Sequence, residues 1–574
     1  MKSRHARLIQ VLVVILAASV TAVHAQTYTV LYNFGNVRCD PLNPAVSGII
    51  AQGRDGNLYS STGTFGSGCN SGGAAFKITP KGKLTLLHSF GSQKGDLGGP
   101  LSGVTLGTDG DFWGTSIGGD FAGNIWKMTA SGKVTDFNFF GGANGTEPTA
   151  PPVQGMDGNF YGTTTQGGLI NGKEKCTYSF GGCGVVYRIT PSGKTYKVIY
   201  TFDQTNGANP NDPLVMGTDG NFYGTTVVGG SVGKTFWNAG VVFKLTPAGK
   251  YTVLHAFCSV THCNDGANPY GGLVQAADGN FYGTTQAGGL GINFPEGVVF
   301  KITPAGKYTV LYNFCTVSKC PDGAQPYGGL VQATDGNFYG TTYYGGANNL
   351  GTIFRITPKG KYTLLHSFEN ATGALFGEYP DVTLVQNTNG TLYGDTSRGG
   401  NSSRGYGVFY SLDMGLQPFV SLVAGYGAVG QTVEILGQGL TGTTAVSFNG
   451  TTAINFTVIS DTYLTAVVPS LTTPGFVTVT TPGGLLTSNR TFRVIPFIHD
   501  FNPTSGKVGD PVTINGTSFT GATRVTFGGV KATFSVINDT QITTTVPAGA
   551  KTGRIQVTTP QGTATSATDF TVTP

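Results

Sequence analysis

The sequence predicts an all-β protein, a seven-bladed β-propeller followed by a second, duplicated β-rich region, and three observations carry that prediction. Of 574 residues 91 are Gly and only 11% are charged, less than half the roughly 25% of an ordinary globular chain. Thr, Val, Tyr and Phe abound, whereas helix-forming runs of Ala, Leu, Glu and Lys are missing. Near-copies of Asp-Gly-Asn-Phe-Tyr-Gly-Thr-Thr recur, with the turn glycine at Gly56, Gly110, Gly158, Gly220, Gly279, Gly336 and Gly390. Each copy is flanked by the same strand and turn signals, so one unit reads as four short antiparallel strands. Seven such units match a propeller, whose blades typically number about four to eight. A β-solenoid has shorter repeats that lack two hairpin turns each.

Residues 1–25 read as an export signal: Lys2, Arg4 and Arg7 precede the apolar run Leu8 to Val23, and Val23-His24-Ala25 supplies a small-residue cleavage site. The run is shorter than the ~20 residues that a membrane span needs. No lipid-anchor Cys follows it, and the tail "ATDFTVTP" has no sorting segment. Release, or retention at the cell surface by something else, is therefore expected, with no membrane span after cleavage. Removing the signal lowers the formal charge of +5 by three. Nucleic acid is excluded as a partner, since it needs clustered Lys and Arg.

The propeller is expected over 26–413. In the sixth unit "GGLVQA" (328–333) is the first strand, Asp335-Gly336 the turn, and "NFYGTTYYGG" (337–346) the second strand. "GTIFRITP" (351–358) and "KYTLLHSF" (361–368) follow, joined by a Pro-x-Gly-Lys turn. Gly at these turns supplies φ > 0 and Asp hydrogen-bonds its own backbone. "YTVLYNF" at 28–34 repeats the fourth strand "YTVLYNF" at 308–314, while the seventh unit has a doubtful fourth strand of its own. The N-terminal strand 28–34 is expected to complete the seventh blade and so remove an open sheet edge.

These units, with their Asp-Gly-Asn-Phe-Tyr-Gly-Thr-Thr, Gly-Gly and Gly-Val-Val-Phe-Lys-Ile-Thr-Pro-x-Gly-Lys segments, resemble the bacterial GloVer tandem-repeat family over about 28–413. The resemblance implies an exported protein with no established enzymatic activity. Many members carry a C-terminal surface anchor, and none is visible here. From about Gly415 a second duplication begins: "VEILGQGLTGTTAVSFNG" (433–450) parallels "VTINGTSFTGATRVTFGG" (512–529). The opening from Pro503 to Gly516 and the later Val546-Pro547 are similar to IPT/TIG domains, which implies two immunoglobulin-like sandwiches, 414–495 and 496–574, serving as interaction or spacer modules. The first copy departs from the pattern at Ala424.

Eight cysteines in an exported chain are expected as disulfides rather than a zinc site. Cys258/Cys263 and Cys315/Cys320 share a repeat position, Cys176 and Cys183 lie in one Gly-rich segment, and Cys39 with Cys69 remain. No metal or cofactor is expected. The repeated Asp residues read as turn residues, an assignment that Asn389 supports by replacing Asp in the last copy. His88, His255 and His366 share one fourth-strand position and read as strand-surface residues. Glycosidase chemistry needs two carboxylates at a fixed separation, and the loop residues Glu296 and Glu378 are the candidates.

Topology directs attention elsewhere. The short Asp-Gly and Pro-x-Gly-Lys turns share one face of a propeller, while the variable loops and all eight cysteines share the other. Such loops on a rigid scaffold commonly carry function. Tyr178, Phe236, Trp237, Phe294, Tyr343, Tyr344, Arg398, Arg404 and Tyr406 on that face are the candidate ligand-binding residues. The expected function is non-catalytic binding of a glycan or cell-surface protein. The alternatives are a secreted carbohydrate-active enzyme and a structural matrix component.

Overall fold

The computed structural model describes residues 26–37, 40–44, 49–65, 72–92, 98–118, 122–168, 176, 181–230, 239–291, 296–369, 377–400, 405–559 and 561–574. The export signal, Cys39 and Cys69 lie outside these residues. Among those described, no helix is long and apolar enough to cross a membrane. Seven small antiparallel sheets form the blades of a propeller. Blade 6 is representative: Val331–Gln332, Phe338–Thr342, Thr352–Ile356 and Tyr362–Ser367 pair in sequence order. Blade 1 has an added strand, Pro41–Pro44, beside the far half of Leu58–Phe65. Blade 7 takes Val385–Gln386, Leu392–Asp395 and Val408–Asp413 from the end of the repeats and Thr27–Asn33 from the chain's start.

The repeated motif explains how neighbouring blades adhere. In Phe-Tyr-Gly-Thr-Thr every residue is buried, because a central blade strand is covered on both faces and needs no polar alternation. The Tyr or Trp of one blade packs ring against ring, stacked or tilted, on the aromatic residue that opens the same strand of the next. These pairs are Tyr59–Phe112, Trp113–Phe160, Tyr161–Phe222, Tyr223–Phe281 and Tyr282–Phe338, with ring centroids 4.0–4.2 Å apart. The glycine makes room within the blade. A Cβ at Gly283 would lie 2.7 Å from the ring of Phe300, its cross-strand partner.

At the Asp-Gly turn one carboxylate satisfies several donors. Asp335 Oδ1 accepts from the backbone N–H of Asn337 at 3.0 Å, and its Oδ2 accepts from Asn337 Nδ2 at 2.7 Å and the Tyr339 hydroxyl at 2.9 Å. Gly336 holds φ 78°. In blades 1, 4 and 5 a third-strand lysine adds an ion pair, as in Lys301–Asp278 at 2.8 Å. The acids are structural.

The histidine expectation needs correction. His255 stacks on Tyr308 of the next blade at 3.8 Å, and His366 stacks on Tyr28 at 4.0 Å. Tyr200–Tyr251 and Tyr312–Tyr362 repeat the contact with tyrosine at the same position, at 4.1 and 4.4 Å. The fourth strand is outermost in its own blade, but blade twist brings its end against the neighbouring blade, so these rings are half-buried interblade contacts. His88, likewise half-buried, meets Phe90 edge-on at 4.8 Å.

Two β-sandwiches follow. The first pairs Ser421–Leu422, Thr432–Leu436, Tyr463–Val467 and Phe456–Ser460 in one sheet, and the second repeats that order with Phe497–Asn502, Pro511–Thr517, Gln541–Thr545 and Phe534–Asn538. Each has its own aliphatic and aromatic core. The first sandwich sits on the face of the Asp-Gly turns. Arg54, in the blade 1 turn, pairs with Glu434 (Nε–Oε2 3.1 Å) and lies 5.0 Å from the Tyr463 ring centroid. The Tyr426 hydroxyl donates to Gly155 O in blade 3 at 2.8 Å, and the Phe419 N–H donates to Thr388 O in blade 7 at 3.0 Å.

Candidate ligand-binding site

The first sandwich contacts the turn face, and the connections entering the innermost strands lie at the opposite ends of the blades. In these connections the residue before a proline repeatedly adopts a left-handed backbone. These residues are Glu147 (φ 54°), Asn209 (55°), Asn268 (53°), Gln325 (52°) and Tyr379 (58°). Short polar side chains tolerate this region, whereas a bulky residue there is an outlier, at about 1–3 kcal/mol. The polar members use the geometry. Asn209 Nδ2 donates to Thr165 O at 2.7 Å, Asn268 Nδ2 to Val227 O at 2.9 Å, and Gln325 Nε2 to Glu296 at 2.9 Å.

Tyr379 breaks the series. Its ring stacks on Tyr343 with centroids 4.9 Å apart, meets Tyr344 edge-on at 5.6 Å, and has the Arg398 guanidinium 5.5 Å above it. Tyr343 and Tyr344 meet at 4.8 Å, Tyr327 adjoins Tyr343 at 5.1 Å, and Tyr270 adjoins Tyr327 at 5.2 Å. Five half-buried tyrosines thus form a platform from the entry of blade 5 to that of blade 7. Gln286 Nε2 donates to the Tyr327 hydroxyl at 2.8 Å. Burial raises the Tyr270, Tyr327 and Tyr343 hydroxyls above the ordinary phenol value, so they stay protonated at neutral pH. Half-exposed neutral rings beside an amide and an exposed guanidinium can stack on an apolar face while hydrogen-bonding its polar edge.

Of the residues expected from sequence, Tyr343, Tyr344 and Arg398 converge in this platform. Tyr406 does not: it packs against the blade 1 and blade 7 core beside Gly35. Tyr178, Phe236, Trp237, Phe294 and Arg404 lie outside the described residues. Glu296 is engaged by Gln325 Nε2, while Glu378 sits in a two-stranded pairing opposite Arg398. Tyr270, Tyr327 and Tyr379 escaped sequence reasoning. Their signal lay in Pro-Tyr-Gly-Gly at 269–272 and 326–329 and in Glu-Tyr-Pro at 378–380. Among the described residues three disulfides brace this face, Cys176–Cys183, Cys258–Cys263 and Cys315–Cys320.

The family model of the Gloeobacter/Verrucomicrobia repeat matches residues 118–320 and 240–457. The chain belongs to the Gloeobacter/Verrucomicrobia repeat family. An IPT/TIG domain matches residues 496–572 of this Gloeobacter/Verrucomicrobia repeat protein. The first sandwich shares that strand order one for one. No curated protein matches the sequence. Among solved structures, a fungal copper-bound AA5-family alcohol oxidase is similar at 13% identity and a TM-score of 0.42, over 96% of this chain and 100% of that one. A luciferin-regenerating enzyme is similar at 13% and 0.34, over 66% and 94%. A surface glycan-binding protein from Prevotella bryantii is similar at 20% and 0.17, over 27% and 38%. Likeness of this degree carries no information about activity.

Proposed function

We propose that this is an exported, non-catalytic binding protein whose tyrosine platform takes a glycan, with the sandwiches as docking modules on the opposite face. The observation that carries the reading is Tyr379. An aromatic ring occupies a left-handed position that other blades fill with Asn, Gln or Glu, and backbone strain of this kind is retained at functional sites. Disulfide bonding supports an oxidising, extracellular setting. Stacked tyrosines flanked by Gln286 and Arg398 suit a sugar ring, which offers an apolar face and a hydroxyl edge. A glycan is favoured over a protein surface because the platform is narrow and half-buried.

The test is calorimetric titration of the mature chain with a panel of soluble polysaccharides, together with a reducing-end assay on the same samples. Saturable binding without turnover is expected. Tyr379→Asn installs the residue of blades 4 and 5, so it should raise stability by about 1 kcal/mol as strain is released and weaken binding at least tenfold. Undiminished binding in that variant would reject the platform. New reducing ends would instead establish the hydrolytic alternative.

A further inference from the structure

Beside the platform a cavity of about 130 Å³ occupies the central channel where the innermost strands begin. Its walls are largely aliphatic, from Leu214, Leu273, Leu330 and Val153, with Tyr327 at one side. Two carboxylates interrupt them. Asp212, in the connection to blade 4, stands where Gly271 and Gly328 stand in blades 5 and 6. Asp381, in the connection to blade 7, stands where Tyr270 and Tyr327 do. Both line the cavity. Asp381 is 3% exposed, and among the described residues neither its Oδ1 nor Asp212 Oδ2 has a hydrogen-bond partner.

Burying a charge in such surroundings is costly: burial drives Asp381 up to about 7 despite a hydrogen bond with Ser397 that favours its charge, and drives Asp212 well above the usual range. Among the described residues no lysine, arginine or histidine lines the cavity. A counter-cation would restore both charges. Three features decide its kind. Among the described residues no three His, Cys, Asp or Glu side chains come together to hold a metal, and calcium takes about six to eight oxygens at 2.3–2.6 Å. Moreover, blades 4 and 7 lie nearly opposite each other in a ring of seven, and the cavity that Asp212 and Asp381 both line has aliphatic walls. The size is also telling, since an apolar cavity of about 150 Å³ holds benzene, a six-heavy-atom molecule.

We propose that this cavity binds a short aliphatic diammonium ion, one ammonium on Asp212 and the other on Asp381, with the alkyl chain against Leu214, Leu273 and Leu330. Each end makes charge-assisted hydrogen bonds to a carboxylate oxygen that otherwise has no partner. Tyr327 borders both this cavity and the platform, but the diamine assignment rests on Asp212 and Asp381, which the glycan reading does not use.

Calorimetry on the full mature chain with 1,4-diaminobutane, n-butylammonium and calcium chloride tests the assignment, with thermal unfolding to confirm that each variant is folded. One diamine should bind per chain, and butylammonium should bind at least tenfold more weakly. Asp381→Asn and Asp212→Gly, the latter restoring the residue of blades 5 and 6, should each reduce diamine binding to the butylammonium level. The absence of diamine binding by folded protein, undiminished diamine binding in either variant, or one calcium ion bound with the same aspartate dependence would each overturn it.

Discussion

At the residue scale, one repeat position shows how context decides a side chain's role. Tyr200, His255, Tyr312 and His366 all stack on the next blade, yet a free histidine has a pKa of about 6.5 and a free tyrosine one of about 10. Burial lowers the His366 pKa to about 4, while an unfolded histidine titrates near 6.5. The unfolded chain therefore binds the proton more readily between these values. The contribution of neutral His366 is complete above about pH 6.5 and is lost as pH falls toward 4. His366→Tyr keeps the stack and removes the titration. Its midpoint of thermal unfolding should fall less between pH 7 and 4.5 than the wild type's. An identical fall would show that His366 is already charged in the folded ring. The turn acids behave differently: burial opposes the charge on Asp278, but hydrogen bonds from Lys301 and Asn280 outweigh it and hold the carboxyl at about 2.

At the element scale, the Phe-Tyr-Gly-Thr-Thr strand was legible because its periodicity, turn and burial all agree. The docking of the first sandwich was not. Arg54 reads as an ordinary turn residue and Glu434 as an ordinary strand residue, and only the folded chain brings their charges together across 380 positions. Their side chains are 31% and 16% exposed, so the pair is partly shielded, and a coupling of about 0.5–2 kcal/mol is expected from a double-mutant cycle. Arg54→Ala should free the sandwiches from the turn face without unfolding either part. Small-angle scattering would register a larger radius of gyration, increasing further with salt. An unchanged radius would mean that the Tyr426 and Phe419 contacts suffice. The tyrosine platform was half legible. Tyr343 and Tyr344 stood out as aromatics in a variable loop, whereas Tyr379 reveals itself only through its backbone conformation.

At the scale of the whole molecule, the ring depends on joining the two ends of the repeat region. Thr27–Asn33 pairs with Val408–Asp413, and Tyr28 packs among His366, Phe368 and Tyr410. Deleting residues 26–33 leaves an uncovered strand edge and an unfilled core. The truncated chain is expected to aggregate and to regain monodispersity when a peptide of residues 26–34 is supplied. Tyr28→Ala alone should cost about 3 kcal/mol, and a fully monodisperse truncation would show that the ring holds without its closing strand. Sequence by itself determined the number of blades, the four strands in each, the turn chemistry and the two sandwiches, because each follows from local periodicity or from duplication. Tertiary structure decided the covered face, the line of tyrosines and the two aspartates that line one cavity. Those features depend on residues from different blades, and blade-to-blade proximity is set by ring closure rather than by spacing along the chain.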